Sequence, residues 1–95
     1  MQAAYDRVSH LDDLRADMTG WGHIDLGTLL AAWAFRERSL GVSFGRQNVL
    51  WYHPDDPARL NVIVPSADGI AKSVVERVIW IIDEVRLAPS NPEER

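Results

Sequence analysis

The chain has 95 residues, a net charge of −4 and a hydrophobic content of 46%, and it contains no cysteine. This length suits one domain with a buried core, and the missing cysteines exclude disulfides, thiolate zinc sites and thiol nucleophiles. The acidic balance opposes nucleic-acid binding, because phosphate neutralisation supplies most of that affinity. With no apolar run of about 18–20 residues and no signal-peptide layout, we predict a cytoplasmic protein without membrane contact.

The first half of the chain predicts two helices. Over residues 3–19, Leu11 and Leu14 share one face at about 100° per residue, and Gly20 is a plausible stop. A second helix is expected from Asp25, as the N-cap, to Ser39, with Gly41 ending it.

Three short strands and a long helix follow. We expect strands at residues 42–44, 48–53 and 60–64, with a hairpin connection at 45–47, and a final helix that Ser66 caps and Leu87 ends. The predicted fold is therefore α+β, order ααβββα, with a three-stranded antiparallel sheet packed against helices. Residues 1–87 form the predicted single domain, and 88–95 read as a disordered tail.

Two features predict surface that a partner covers. The second and third strands are apolar on both faces, which is typical of strands covered on both sides. Trp80 lies about 160° from the centre of the apolar arc of the last helix, and a tryptophan there either packs beneath the chain's own first helix or a loop, or binds a partner. The residues assigned to this partner surface are Trp80, Glu76, Arg77 and Leu87.

Asp6, Asp13 and Asp17 form an acidic row on the first predicted helix. Such a row either docks a basic partner or is simply a solvated helix face. We include the three aspartates among the candidate partner-binding residues.

The sequence predicts no catalytic residue, metal site or cofactor. His23 and Asp25, or His53 with Asp55 and Asp56, lack the spacing of a known metal motif, and turn or cap roles explain the aspartates. The chain has no phosphate-binding loop and no Ser-His-Asp order. We expect that the protein is not an enzyme.

An alternative hypothesis concerns the second strand, where the aromatic residues Trp51, Tyr52 and His53 lie next to Arg46, Gln47 and Asn48. Side chains of this kind on a sheet stack on nucleobases and hydrogen-bond to them. The candidate nucleic-acid-binding residues are Arg46, Asn48, Trp51 and His53. A small-molecule pocket lined by Trp33 and Trp51 is a third possibility.

The segment from Trp51 to Pro65, WYHPDDPARLNVIVP, lies between two predicted helices and resembles the HicA-type messenger-RNA interferase toxins. That resemblance implies a fold similar to double-stranded-RNA-binding domains, and RNA cleavage by a histidine on the strand before the His-Pro-Asp turn. Asn48 stands at the position of that histidine, and an asparagine is not a general base near neutral pH.

Together these patterns favour a small binding or regulatory protein of bacterial or phage origin, acting through protein–protein contacts as an inhibitor, immunity protein or antitoxin does. We predict a protein partner or a second copy, with a homodimer expected. The alternative is a HicA-like RNA-binding protein or interferase.

Overall fold

The computed structural model describes residues 5–87, so the predictions for residues 1–4 and for the tail at 88–95 lie outside the described residues. The order of elements is ααβββα, and the three strands form one antiparallel sheet in the order β1-β2-β3. The predicted α+β fold is confirmed. The elements are α1 Arg7–Ala16, α2 His23–Ala32, β1 Arg36–Ser43, β2 Arg46–Tyr52, β3 Asn61–Pro65 and α3 Lys72–Leu87.

Aspartates delimit α1, which is shorter than predicted. The Asp6 carboxylate accepts hydrogen bonds from the backbone N–H groups of Val8 and Ser9, both at 3.1 Å, and so caps the helix start. The helix ends at Ala16 because Asp17 has extended backbone angles. Leu11 and Leu14 are buried, as predicted.

The second helix ends seven residues before the predicted Ser39. Ala34 takes a left-handed φ of 70°, the Phe35 N–H bonds to the Leu30 carbonyl, and the Ala34 N–H bonds to that of Ala31, both at 3.0 Å. This pattern is a Schellman stop, which usually contains glycine. The helix begins at His23 with Gly22 as its N-cap, so the predicted N-cap at Asp25 is wrong. The Asp25 carboxylate lies in the first turn instead and accepts a hydrogen bond from the Gly22 N–H at 3.4 Å.

The chain that was predicted to continue this helix forms β1 instead. Its hairpin with β2 turns through two residues, Phe44 and Gly45, whose φ angles of 53° and 76° define a type I′ turn. The predicted connection at 45–47 was therefore placed too late, and Phe44 lies in the turn and not in a strand. Gly41, predicted to stop a helix, has a φ of 85° beside a β-bulge that shifts the β1–β2 register between Ser39 and Gly41.

The last helix begins at Lys72, so the predicted cap at Ser66 is wrong. The Ser66 N–H instead bonds to the Gln47 carbonyl at 2.8 Å and continues the β2–β3 ladder. The predicted apolar arc is correct. Val75, Val78, Ile81 and Ile82 are almost fully buried.

The helices cover one face of the sheet, which we call the helix side. Cross-strand pairs Trp51–Val62 and Val49–Val64 lie on it, and they pack with the buried leucines of α1 and α2 and the apolar arc of α3. The opposite side, which we call the open face, has no helix over it in the described residues. No helix within residues 5–87 is both long and apolar enough to cross a membrane.

An ion pair joins α1 to α3 and predicts an acid-sensitive contribution to stability. Arg15 forms two hydrogen bonds to Asp83, at 2.7 and 2.6 Å, and these bonds hold the pKa of Asp83 below its usual value. A carboxylate with a depressed folded pKa adds stability that is full above its unfolded pKa of about 4 and is lost as pH falls through the folded pKa. Because both side chains are partly exposed, we expect Asp83→Asn to cost about 1 kcal/mol near pH 7.

Urea unfolding measured from about pH 7 down to pH 2 checks this expectation. The difference between wild type and Asp83→Asn should shrink below about pH 4. The control is Asp13→Asn, since Asp13 has no ion-pair partner among residues 5–87. A constant difference at all pH values would contradict the assignment.

Candidate binding surface

The open face combines arginines with apolar side chains. Cross-strand pairing places Arg36 opposite Tyr52 and Arg38 opposite Leu50. Leu50 in turn faces Ile63, which is 51% exposed. The surface is completed by Asn48, Asn61 and, at the hairpin end, Arg46.

The charged side chains that the strands place on this face are all basic. No aspartate or glutamate occupies an open-face position on any of the three strands, although the whole chain is acidic. Glu37, the carboxylate nearest in sequence, pairs with Trp51 and therefore belongs to the helix side. Within residues 5–87, Arg36, Arg38 and Arg46 form no ion pair. Their charges are free to meet an anionic partner.

The structure divides the four candidate nucleic-acid-binding residues between two faces. Arg46 and Asn48 lie on the open face by strand alternation. Trp51 is buried on the helix side, and His53 is also buried, with its ring edge-on to Phe35 at 5.2 Å. The aromatic side chain that shares the open face with Arg46 and Asn48 is Tyr52, which was not among the predicted nucleic-acid-binding residues.

Trp80 is 42% exposed and is flanked by two arginines. The guanidinium carbons of Arg77 and Arg59 lie 4.9 and 5.8 Å from the centre of its ring. Both arginines are held in place, Arg77 by the backbone carbonyls of Asn61 and Arg59 at 2.9 Å, and Arg59 by Asp56 and Glu84. These cation–π contacts lower the cost of exposing the indole. The predicted neighbours Glu76 and Leu87 are exposed on the same helix.

The acidic row on α1 is not continuous. Asp6 precedes the helix as its cap, and Asp17 follows it and accepts hydrogen bonds from the hydroxyl and backbone N–H of Thr19. Those bonds, the hydroxyl first, lower the pKa of Asp17. Only Asp13 lies within the helix, exposed. Local backbone roles therefore account for two of the three aspartates.

A cleft of about 400 Å³ opens on the helix side, between α2 and the sheet. Trp51, Val49 and Val64 form its apolar floor, and Thr28 lines the α2 wall. Among residues 5–87, Glu37 alone contributes a carboxylate to its lining. Of the two tryptophans predicted to line a pocket, Trp51 lies here, whereas Trp33 is buried with the guanidinium of Arg7 stacked 4.2 Å above its ring.

The histidines considered for catalysis have structural contacts. His23 Nδ1 lies 2.9 Å from the Ala67 carbonyl oxygen, and His53 Nδ1 accepts from the Asp55 N–H at 3.2 Å. Among residues 5–87, no group of three or more histidine and acidic side chains is placed to hold a metal ion. These contacts orient both rings within the fold.

Comparison of the chain with protein-family models, with curated proteins and with solved structures gave no match. The HicA-type resemblance therefore stays a prediction.

Proposed function

We propose that the protein is a non-enzymatic binding module that recognises an acidic surface on a partner protein through the open face of its sheet. The observation that carries this proposal is the open face itself, on which Arg36 and Arg38 pair across strands with Tyr52 and Leu50 and to which the three strands contribute no carboxylate. The face combines a charge sign opposite to that of the whole chain with apolar area that no described element covers.

The composition of this surface suits a protein partner. Tyrosine and arginine are enriched at interface hot spots. Leu50 and Ile63 form an apolar centre that is desolvated on binding. Arginine also binds carboxylates through two parallel hydrogen bonds, which fixes orientation as well as charge. An acidic partner surface with exposed apolar side chains is the complement.

Trp80 has a secondary part in this proposal. Arg77, which stacks on it, also bonds to the Asn61 carbonyl of β3, so the indole lies near the sheet. Because the chain's own arginines already flank it, we propose that Trp80 adds contact area beside the open face without anchoring the complex. An inhibitor, immunity or antitoxin-like role in a bacterial cytoplasm, for a protein of bacterial or phage origin, fits a module of this size.

A second candidate function is the binding of single-stranded nucleic acid by the same face. Tyr52 supplies a ring for base stacking, Asn48 supplies an amide, and the three arginines supply charge for phosphates. We place it second because the face offers only one aromatic ring and its centre is aliphatic.

We expect charge reversal on the open face to abolish binding to an acidic polypeptide. The probe is a fluorescent random copolymer of glutamate and tyrosine at about 50 mM salt, where charge screening is weak. The double variant Arg36→Glu/Arg38→Glu should lower its affinity at least tenfold, or ~1.4 kcal/mol, because repulsion replaces attraction at both positions.

The matched control is Lys72→Glu/Arg86→Glu, which makes the same change in net charge at exposed positions on α3. It should change the affinity by less than about threefold, the effect of net charge alone. Equal losses in the two double variants would overturn the proposal. Binding of single-stranded polyuridylate but not of the copolymer would replace it with the second candidate function.

A further inference from the structure

Three exposed apolar side chains lie on the helix side of the molecule or at the hairpin tip. Phe44 at the tip is fully exposed, and Val42 and Ile24 are about 70% exposed. Val42 pairs with Gln47, which hydrogen-bonds to Ser39 opposite Val49, so Val42 belongs to the helix side, and Ile24 lines the cleft beside α2. Large apolar side chains left in water on one side of a molecule point to an interaction site.

The residue at the hairpin tip is costly for the fold. Type I′ turns need positive φ at both central residues, and Asn-Gly or Gly-Gly meets that need without strain. Here a phenylalanine takes the first position, with φ at 53° and its whole ring in water. A bulky residue in this backbone region is an outlier. Neither local geometry nor solvation favours Phe44, so its benefit lies in what the ring contacts.

The cleft beside α2 has the size and the charge to receive that tip. Its volume of about 400 Å³ exceeds that of one phenylalanine side chain, and its floor of Val49, Trp51 and Val64 is apolar. Glu37 is the one carboxylate that lines it and forms no ion pair within residues 5–87. Arg46, two residues beyond Phe44, carries an equally free guanidinium of opposite charge.

We propose that the occupant of this cleft is the hairpin tip of a second copy of this chain. Phe44 of each copy inserts over Trp51 of the other, and Arg46 pairs with the other copy's Glu37. The exchange is reciprocal, as a two-fold dimer requires. It covers Phe44 on both copies, and each copy contributes both tip and cleft toward the roughly 800 Å² per partner of a stable interface.

This site is distinct from the one in the proposed function. The dimer uses the helix side, the tip and Arg46 at the hairpin end of the open face, whereas the acidic partner binds the open face at Arg36 and Arg38. A dimer of this kind presents two basic open faces outward. Stacking two open faces would instead bring six arginines together, which charge repulsion disfavours.

The decisive variant is Phe44→Asn, which creates the preferred Asn-Gly turn while removing the ring. We expect wild type to sediment as a dimer at ~100 µM, and Phe44→Asn as a monomer whose dissociation constant is raised at least a hundredfold. The fold should be retained, as judged by circular dichroism. A monomeric wild type, or a dimer that Phe44→Asn leaves intact, would overturn the proposal.

Two further variants test the cleft and the charge pair separately. Thr28→Trp fills the cleft from the exposed side of α2 and should give a folded monomer although the tip is unchanged. Glu37→Arg alone should weaken the dimer about tenfold or more, and adding Arg46→Glu to the same chain should restore it. A dimer that Arg36→Glu/Arg38→Glu dissociates would place self-association on the open face and contradict the tip-in-cleft arrangement.

Discussion

Replacing Trp51 with alanine is expected to cost about 3–5 kcal/mol, because the change removes a buried indole from the helix side of the sheet. Trp51 faces Val62 across the strands, and its ring contacts Gly27 of α2. Removing it leaves a void joined to the cleft that α2 and the sheet already enclose. Since domains of this size have unfolding free energies of about 5–15 kcal/mol, the variant should lose a large fraction of its stability.

The comparison variant is Trp80→Ala, which removes the same ring from a half-exposed position. With only the cation–π contacts of Arg59 and Arg77 and partial burial at stake, we expect a loss of about 1 kcal/mol. Urea unfolding of both variants, followed by circular dichroism, measures the two costs. A cost for Trp80→Ala as large as that for Trp51→Ala would show that Trp80 is anchored in an interface of its own.

The hydrophobic periodicity of this chain predicted the buried faces of its helices well and their ends poorly. The buried faces of α2 and α3 follow directly from spacings of three and four residues, as at Leu26, Leu29 and Leu30. The end of α2 was missed because Ala34 adopts the left-handed angle that glycine normally supplies. Gly41, the visible glycine, serves a β-bulge instead. Because of this one unusual residue, half of β1 was predicted to be helical.

That error also hid the basic surface. If this segment is taken as a helix, nothing in the sequence places Arg36 and Arg38 beside the second strand. In the observed strand, alternation places both on the face that carries Leu50 and Tyr52. The two-faced character of β2 and β3 was visible in the sequence, and so was the expectation that one face would lack cover from the chain itself. Which residues of β1 complete that face depends on cross-strand register, and the turn at Phe44 sets it.

The register therefore separates two kinds of apolar surface. Tyr52 and Leu50 lie among arginines on the open face, and Val42, near the hairpin tip, lies on the helix side with Glu37. One surface is basic and the other carries a carboxylate, so the two proposed binding sites differ in charge. Under these proposals a single short hairpin contributes to both sites.

The width of the cleft depends on how closely α2 approaches the sheet. We expect Gly27 to set that distance, because it lies against Trp51. A β-carbon at this position would lie 3.0 Å from Cζ2 of Trp51, closer than ordinary contact allows. We expect Gly27→Leu to cost about 3 kcal/mol, because the added carbons must displace either the indole or the helix. Gly27→Ala should be nearly neutral, since the gain in helix propensity of about 1 kcal/mol offsets a smaller displacement.

A double-mutant cycle assigns this cost to the indole. Trp51→Phe shortens the ring that Gly27 contacts, so it should relieve Gly27→Leu, and the double variant should be more stable than the sum of the two single costs predicts by about 1 kcal/mol or more. Thermal and urea unfolding of the four proteins give that coupling. If the two costs add, the helix meets the sheet elsewhere, and Gly27 does not determine how widely the cleft opens toward a second copy.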